Sequence, residues 1–342
     1  MTNNTPSIRD AIAKLVERRD LTEAEAAAAM EDLMSGAATS AQFAAYATAL
    51  RMKGETVDEI TGMARIMREK SSRIDIEGPL LDTCGTGGAA TASFNVSTCA
   101  AFVAAGAGVR VAKHGNRAMT SKCGSADVLE ALGAKIDLTP EQVKTCIERA
   151  GIGFMFAQGF HPAMKFVGPA RREIGIRTVF NLLGPLTNPA RATRQVIGVA
   201  RLDLVETIAK TLERLGCERA IVVHGDDGCD ELSISGPSTI TELRDGTLRT
   251  TRIAPAEVGL PVHDISYLRG GTPEQNATEL RLVLDGVPGP LRDFTLINAA
   301  AALVAGAVVD DLGAGVAAAA ASIDSGAAAA KLAAFIEATN GA

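Results

Sequence analysis

The chain has 342 residues, 47% hydrophobic and 22% charged, a globular composition long enough for one large domain or two smaller ones. Its net charge of −6 and pI of about 5.4 argue against a general nucleic-acid or anionic-membrane binder. No apolar secretion core follows the polar start Met1–Asn4, and no apolar run approaches the roughly 18 residues of a membrane span, so the expectation is a cytoplasmic protein with neither nucleic acid nor membrane as partner.

Residues 7–70 read as helices only. Ile8, Ile12, Leu15 and Val16 fall on one helical stripe, Phe43, Tyr46 and Leu50 on another, and Val57, Ile60, Met63 and Met67 on a further one. Thr22-Glu23-Ala24-Glu25 is a capping box. Four short amphipathic helices make a small bundle with apolar surface to spare.

From about residue 72 the character changes. Leu80-Leu81 suits a short buried strand, and Gly85-Thr86-Gly87-Gly88 follows it. Asn95-Val96-Ser97-Thr98 then starts an apolar helix. Strand, glycine turn and helix N-terminus together make a phosphate cradle. A plain tight turn is the alternative. The P-loop lysine is missing after Gly88, and so is the third glycine of the dinucleotide fingerprint.

The next strand, Val109–Ala112, delivers Lys113-His114-Gly115-Asn116-Arg117-Ala118 to a strand end, where open α/β sheets bind ligands. Lys and Arg there suit phosphate, with Ser121, Ser125 and the backbone after Gly124 as further donors. Helices at 125–132 and 140–150 and a strand at 153–156 continue the alternation, which predicts a mostly parallel sheet with helices on its faces. Residues 161–186 interrupt it: His161–Lys165 begins a helix, Arg171 and Arg172 follow, and 181–189 is rich in Gly and Pro. Strands at 194–199 and 219–224 flank a helix at 203–215. An antiparallel ribbon at 232–253 turns at Asp245-Gly246, and Ala-rich helix follows 290. Six scattered cysteines without CxxC spacing read as reduced, structural thiols rather than zinc ligands.

DTCGTGG, FNVST, KHGNRA, GSADVLEALG, HPAMK, GIRTVFNLLGPLTNP and DELS, in this order, resemble the anthranilate phosphoribosyltransferase family, of the nucleoside phosphorylase/phosphoribosyltransferase fold. The likeness runs from about residue 5 to the C-terminus. It implies an α/β protein: a small N-terminal all-helical domain plus a large α/β domain with a mostly parallel central sheet flanked by helices. Residues 1–71 plus about 161–189 would form the helical part, with the acceptor side and a homodimer contact. Residues 72–160 plus 190–342 would form the part that binds phosphoribosyl pyrophosphate.

The implied reaction joins the amine of anthranilate to C1 of the ribose in phosphoribosyl pyrophosphate and releases pyrophosphate, the second step from chorismate to tryptophan. By position, the resemblance puts the phosphoribosyl donor on Gly85, Gly88, Ala89, Ser93, Asn95, Val96, Ser97, Thr98, Lys113, His114, Gly115, Asn116, Arg117, Ala118, Met119, Thr120, Ser121 and Ser125. It puts anthranilate on Gly85, Asn116, His161 and Arg171, with His114 bordering it and Arg171 facing the carboxylate. Ser97, Asp230 and Glu231 would hold two magnesium ions, partly through water. No residue is assigned as general base. The sequence departs from the family pattern at Ala89, where Asp is common, and at Ser93, where Thr is usual.

Three other readings fit the sequence less well. Asp226-Asp227 after a hydrophobic strand resembles the loop of another phosphoribosyltransferase class, but the Thr-Thr-Gly that grips a 5′-phosphate there is absent. A pyrimidine nucleoside phosphorylase fits KHGNRA and DELS poorly. A non-catalytic, nucleic-acid-binding relative would carry a basic surface and lack the acids at 230 and 231.

Overall fold

Four helices open the chain: α1 (Ile8–Val16), α2 (Glu23–Ser35), α3 (Ser40–Lys53) and α4 (Val57–Glu69). The computed structural model describes residues 7–89, 94–118 and 122–342. A capping box starts each of the four helices, not the second alone: Ser7, Thr22, Thr39 and Thr56 each accept the N–H three residues on, and that residue's side chain accepts the cap's own N–H. Phe43, Tyr46, Leu50, Ile60, Met63 and Met67 are buried as the spacing predicts. The first stripe differs by one place. Val16 is 66% exposed, and Ala11 takes the core position between Ile8 and Leu15. Spacings of three and four residues stack on one helix face, and Val16 falls off that face.

Seven strands form one sheet: β1 (Leu81–Gly85), β2 (Val111–Gly115), β3 (Ile152–Phe156), β4 (Arg194–Gly198), β5 (Arg219–Gly225), β6 (Ser238–Arg244) and β7 (Thr247–Ile253). Their order is β3-β2-β1-β4-β5-β6-β7. The first five in that order are parallel and the last two antiparallel. The expected ribbon turns at Asp245-Gly246, both with positive φ (51° and 71°), as a two-residue hairpin requires. It starts only at Ser238, and β6 pairs with β5, so it extends the sheet rather than standing apart. The chain runs outward from β1 to β3, then crosses back to lay β4 on β1's other side. The strand order therefore reverses between β1 and β4. At such a point the loops leaving the strands diverge and leave a crevice beyond the carboxyl ends.

Alternate residues of the central strands face different cores. Val196, Ile221 and Val223 pack with helix Val96–Gly106 and the Ala-rich helices Pro290–Ala305, Leu312–Asp324 and Ala327–Asn340. Ile197 and Val222 pack with helix Val205–Arg214 and with the α1–α4 core. The segment after β3 joins this second core through Val167, Ala170, Phe180 and Leu183, and the Phe43 and Phe180 rings lie 5.2 Å apart. A helix does not begin at His161. The short helix Ala157–Phe160 ends there, and Pro162–Phe166 is a 3₁₀ turn leading into helices Gly168–Ile174 and Phe180–Leu186. Among the described residues no single helix is long and apolar enough to cross a membrane.

Candidate active site

A cleft of about 600 Å³ opens over the carboxyl ends of β1 and β2 and the loop after β5, facing the segment 157–187. Gly85 and Gly198 pair at the ends of β1 and β4. Neither has room for a side chain, because Asp230 packs against both; a Cβ on Gly85 would lie 2.5 Å from Asp230 Oδ2. The turn then runs through Gly87 and Gly88 at φ 65° and 86°, which strain any L side chain. Its amides are tied to the sheet: Thr86 N–H donates to Gly198 O at 2.8 Å and Gly87 N–H to Asp230 Oδ2 at 2.8 Å.

The end of β2 lies alongside. Lys113, 2% exposed, donates from Nζ to the Thr83 carbonyl and stands 3.3 Å from Ser97 Oγ at the start of helix Val96–Gly106. Burial pushes its pKa down, opposed by Asp82, Cys84 and Glu231. Beneath it, fully buried Asp82 accepts the His114 N–H at 3.1 Å and Asn188 Nδ2 at 2.7 Å. This carboxylate thereby ties β1, β2 and the loop before β4 together under the cleft. Burial raises its pKa, against the pull of Lys113.

The acids sit where β5 ends. Asp227 accepts from both serine hydroxyls at 233 and 235 and from the Cys229 N–H at 3.0 Å. Asn298 brackets Leu232 through both its N–H, at 3.0 Å, and its carbonyl, at 2.9 Å. The resulting loop turns the neighbours Asp230 and Glu231 the same way, into the cleft, as alternation in a strand would not allow. Asp226 pairs outward with Arg252, so the Asp226-Asp227 dyad serves the loop and not the cleft. Burial raises the pKa of Asp230, which its bond from Gly87 and nearby Arg177 oppose.

The opposite wall carries His114, His161 and Arg171. The two imidazoles stand 5.0 Å apart, both buried, and neither Nε2 has a partner among the described residues. Burial holds both neutral, His114 down to about 3, helped by its neighbour, and His161 down to about 4. Arg171, on helix Gly168–Ile174, lines the cleft, and no hydrogen bond or ion pair with a described residue engages its guanidinium. Burial lowers its pKa, and Arg177 adds repulsion. One end of the cleft thus offers amides, an ammonium and two acids. The other offers the Arg171 guanidinium and two neutral rings.

Two family models match in tandem: the helical bundle domain of the glycosyl transferase family over residues 9–71 and its a/b domain over 77–329. The anthranilate phosphoribosyltransferase of Chloroflexus aurantiacus is 58% identical over 98% of this chain and 99% of its own. That of Symbiobacterium thermophilum is 57% identical over 92% of each. The chain belongs to the anthranilate phosphoribosyltransferase family. Among solved structures, the family member from Thermus thermophilus superposes with a TM-score of 0.92 at 44% identity, covering 97% of this chain and 99% of that one. The Saccharomyces cerevisiae member, in complex with phosphoribosyl pyrophosphate and magnesium, gives 0.89 at 28% identity over 98% of each.

Against this family frame, Gly85, Gly88, Ala89, Asn95, Ser97, Lys113, His114, Gly115, Asn116, Arg117, Ala118, Ser125, His161, Arg171, Asp230 and Glu231 all line the one cleft. Val96 and Thr98 are buried in the helix behind it. Ser93, Met119, Thr120 and Ser121 lie outside the described residues. Two expectations about side chains are corrected. Asn95 does not cap the helix: its Nδ2 donates to Cys123 O at 3.2 Å and its Oδ1 accepts from Asn276 at 2.8 Å. The Arg117 fork points to Asp127 and Glu130 rather than to an anion in the cleft. Sequence reasoning missed Arg177, which reaches the glycine turn, and Asp82 beneath it. The signal for Asp82 is a carboxylate directly after the apolar pair Leu80-Leu81, where a buried strand begins; for Arg177 there is none beyond its motif.

Proposed function

We propose that this chain transfers the phosphoribosyl group of phosphoribosyl pyrophosphate to the amine of anthranilate, releasing pyrophosphate. The observation that carries the reading is the two-sided cleft: the Gly85–Gly88 turn, Ser97 and Lys113 face Arg171 and the histidines across one cavity. Pyrophosphate needs N–H donors and fixed positive charge, which the turn, the helix start at Val96 and Lys113 provide. Anthranilate is a planar carboxylate, and Arg171 is a planar fork that no described residue engages. Ser125 and Asn116 extend the donor side, joined by the 3.3 Å bond from Ser125 Oγ to Asn116 O.

With both substrates seated, the C1–oxygen bond to pyrophosphate lengthens, positive charge grows on the ribose, and the amine closes on C1. Holding amine and C1 within reach and pre-aiming donors at the departing charge are the main contributions available to the protein. The neutral rings of His114 and His161 add no cation beside the growing ribose charge. In this reading Ser97, Asp230 and Glu231, oxygen donors that line the cleft, would hold two magnesium ions, and because no group of three or more His, Cys, Asp or Glu side chains gathers among the described residues, phosphate and water would complete the set. Magnesium supplies charge neutralisation on the pyrophosphate oxygens when bound. Ala89 offers no carboxylate to that set.

The helical part comprises residues 1–71 with about 161–189, the donor-binding part the remainder, and the protein is a cytoplasmic homodimer through its N-terminal helices. Neither nucleic acid nor a membrane is a partner. Loss of anthranilate fluorescence on mixing with phosphoribosyl pyrophosphate and magnesium tests the activity; no loss at any magnesium concentration refutes it.

A further inference from the structure

Arg177 reaches the glycine turn from the far wall of the cleft. It follows Gly175, at φ 62°, on the segment that also bears Arg171. Its Nη2 donates to Thr86 O at 2.9 Å and to Gly87 O at 2.6 Å. Its guanidinium covers Gly88 so closely that a side chain there would collide with it. The turn is therefore gripped from two directions. The sheet side holds N–H groups, at Thr86 through Gly198 O and at Gly87 through Asp230. Arg177 holds the carbonyls.

Peptide planarity gives this grip a consequence. In a trans peptide the C=O and the next N–H point in opposite directions. Fixing the Thr86 carbonyl fixes the Gly87 N–H, which Asp230 accepts. Fixing the Gly87 carbonyl fixes the Gly88 N–H, which has no partner among the described residues and points away from the guanidinium. Glycines at positive φ can otherwise flip such a peptide at little cost. We infer that Arg177 is a positioning residue that locks the Gly87–Gly88 peptide, so that the acceptor-side segment sets the shape of the pyrophosphate cradle. This rests on the cradle reading above and adds to it a residue from the opposite wall.

Two variants, Arg177→Gln and Arg177→Lys, test it in the full-length protein. Hydrogen–deuterium exchange of ligand-free protein reads the lock without any substrate. Peptides covering 84–89 should exchange at least fivefold faster in Arg177→Gln, with part of the protection recovered in Arg177→Lys, whose ammonium can still donate to carbonyls. Calorimetry with phosphoribosyl pyrophosphate and magnesium should show a tenfold or greater loss of affinity in Arg177→Gln, while KM for anthranilate changes less than threefold. Unchanged exchange in a folded Arg177→Gln protein overturns the inference, and so do equal effects on the two substrates. A wild-type protein that takes up no phosphoribosyl pyrophosphate refutes the cradle reading instead, and the exchange data still decide whether Arg177 holds the turn.

Discussion

Asp230 Oδ2 accepts the Gly87 N–H at 2.8 Å, a bond spanning 143 residues that joins the turn after β1 to the loop after β5. The donor turn is thus tied directly to one of the proposed metal acids. Asp230→Asn with Glu231→Gln keeps size and an acceptor for Gly87 while removing two charges. The double variant should lose at least about a hundredfold in kcat and need more magnesium for half-maximal rate, losses in the range of charge-stabilising groups. Because burial disfavours the Asp230 charge, its melting temperature without ligand should stay level or rise. Near-wild-type turnover at low magnesium would return the pair to an ordinary surface loop.

Gly88 carries two constraints at once, a φ of 86° and a guanidinium over its face. Gly88→Ala should raise KM for phosphoribosyl pyrophosphate at least tenfold. It should also destabilise the chain by about 1–2 kcal/mol, the usual size of left-handed strain at a non-glycine residue. Thermal unfolding and initial rates measure the two separately.

His114 and His161 fix a pH dependence of stability. Their folded values, about 3 and about 4, lie below the ordinary 6.5. Between those values the unfolded chain binds protons that the folded chain does not, so stability falls as pH drops from about 6.5 towards 4. Replacing both with Gln removes this contribution. The difference in unfolding free energy between pH 7 and pH 4.5 should then be smaller than in the wild type by a few kcal/mol, at about 1.4 kcal/mol per pH unit for each histidine. An identical pH slope in chemical denaturation would show that the rings are not held neutral.

The parts of the site legible in the sequence are those carried by short contiguous stretches. Gly85–Gly88, Lys113–Asn116 and Asp230–Glu231 each state their chemistry within a few residues, and all reach the cleft. Strands β3, β4 and β5 lie within one residue of the expected spans, because each carries neighbouring apolar residues, whereas β1 runs on through Asp82 to Gly85 and β2 occupies Val111–Gly115 rather than 109–112, because buried Asp82, Lys113 and His114 do not read as strand residues. What escaped depends on distant partners. Arg177 has its role through carbonyls 90 and 91 residues earlier, and Asn95, at the N-cap, turns its side chain to Asn276, 181 residues on, instead of capping. Arg117 reads as a phosphate fork until Asp127 and Glu130, on the next helix, claim it. Val16 reads as a core residue because Ala11, which fills the core position, is small and contributes little to an apolar stripe.

The division of the cleft into a donor side and an acceptor side is tested most directly by Arg171→Ala, assayed for KM against each substrate in turn. The guanidinium has no described partner to lose, so folding and melting temperature should be unaffected. The variant should raise KM for anthranilate at least tenfold, the size of a lost charge-assisted pair, and leave KM for phosphoribosyl pyrophosphate within about twofold. Equal rises in both, or a rise confined to phosphoribosyl pyrophosphate, would contradict the assignment of the two sides.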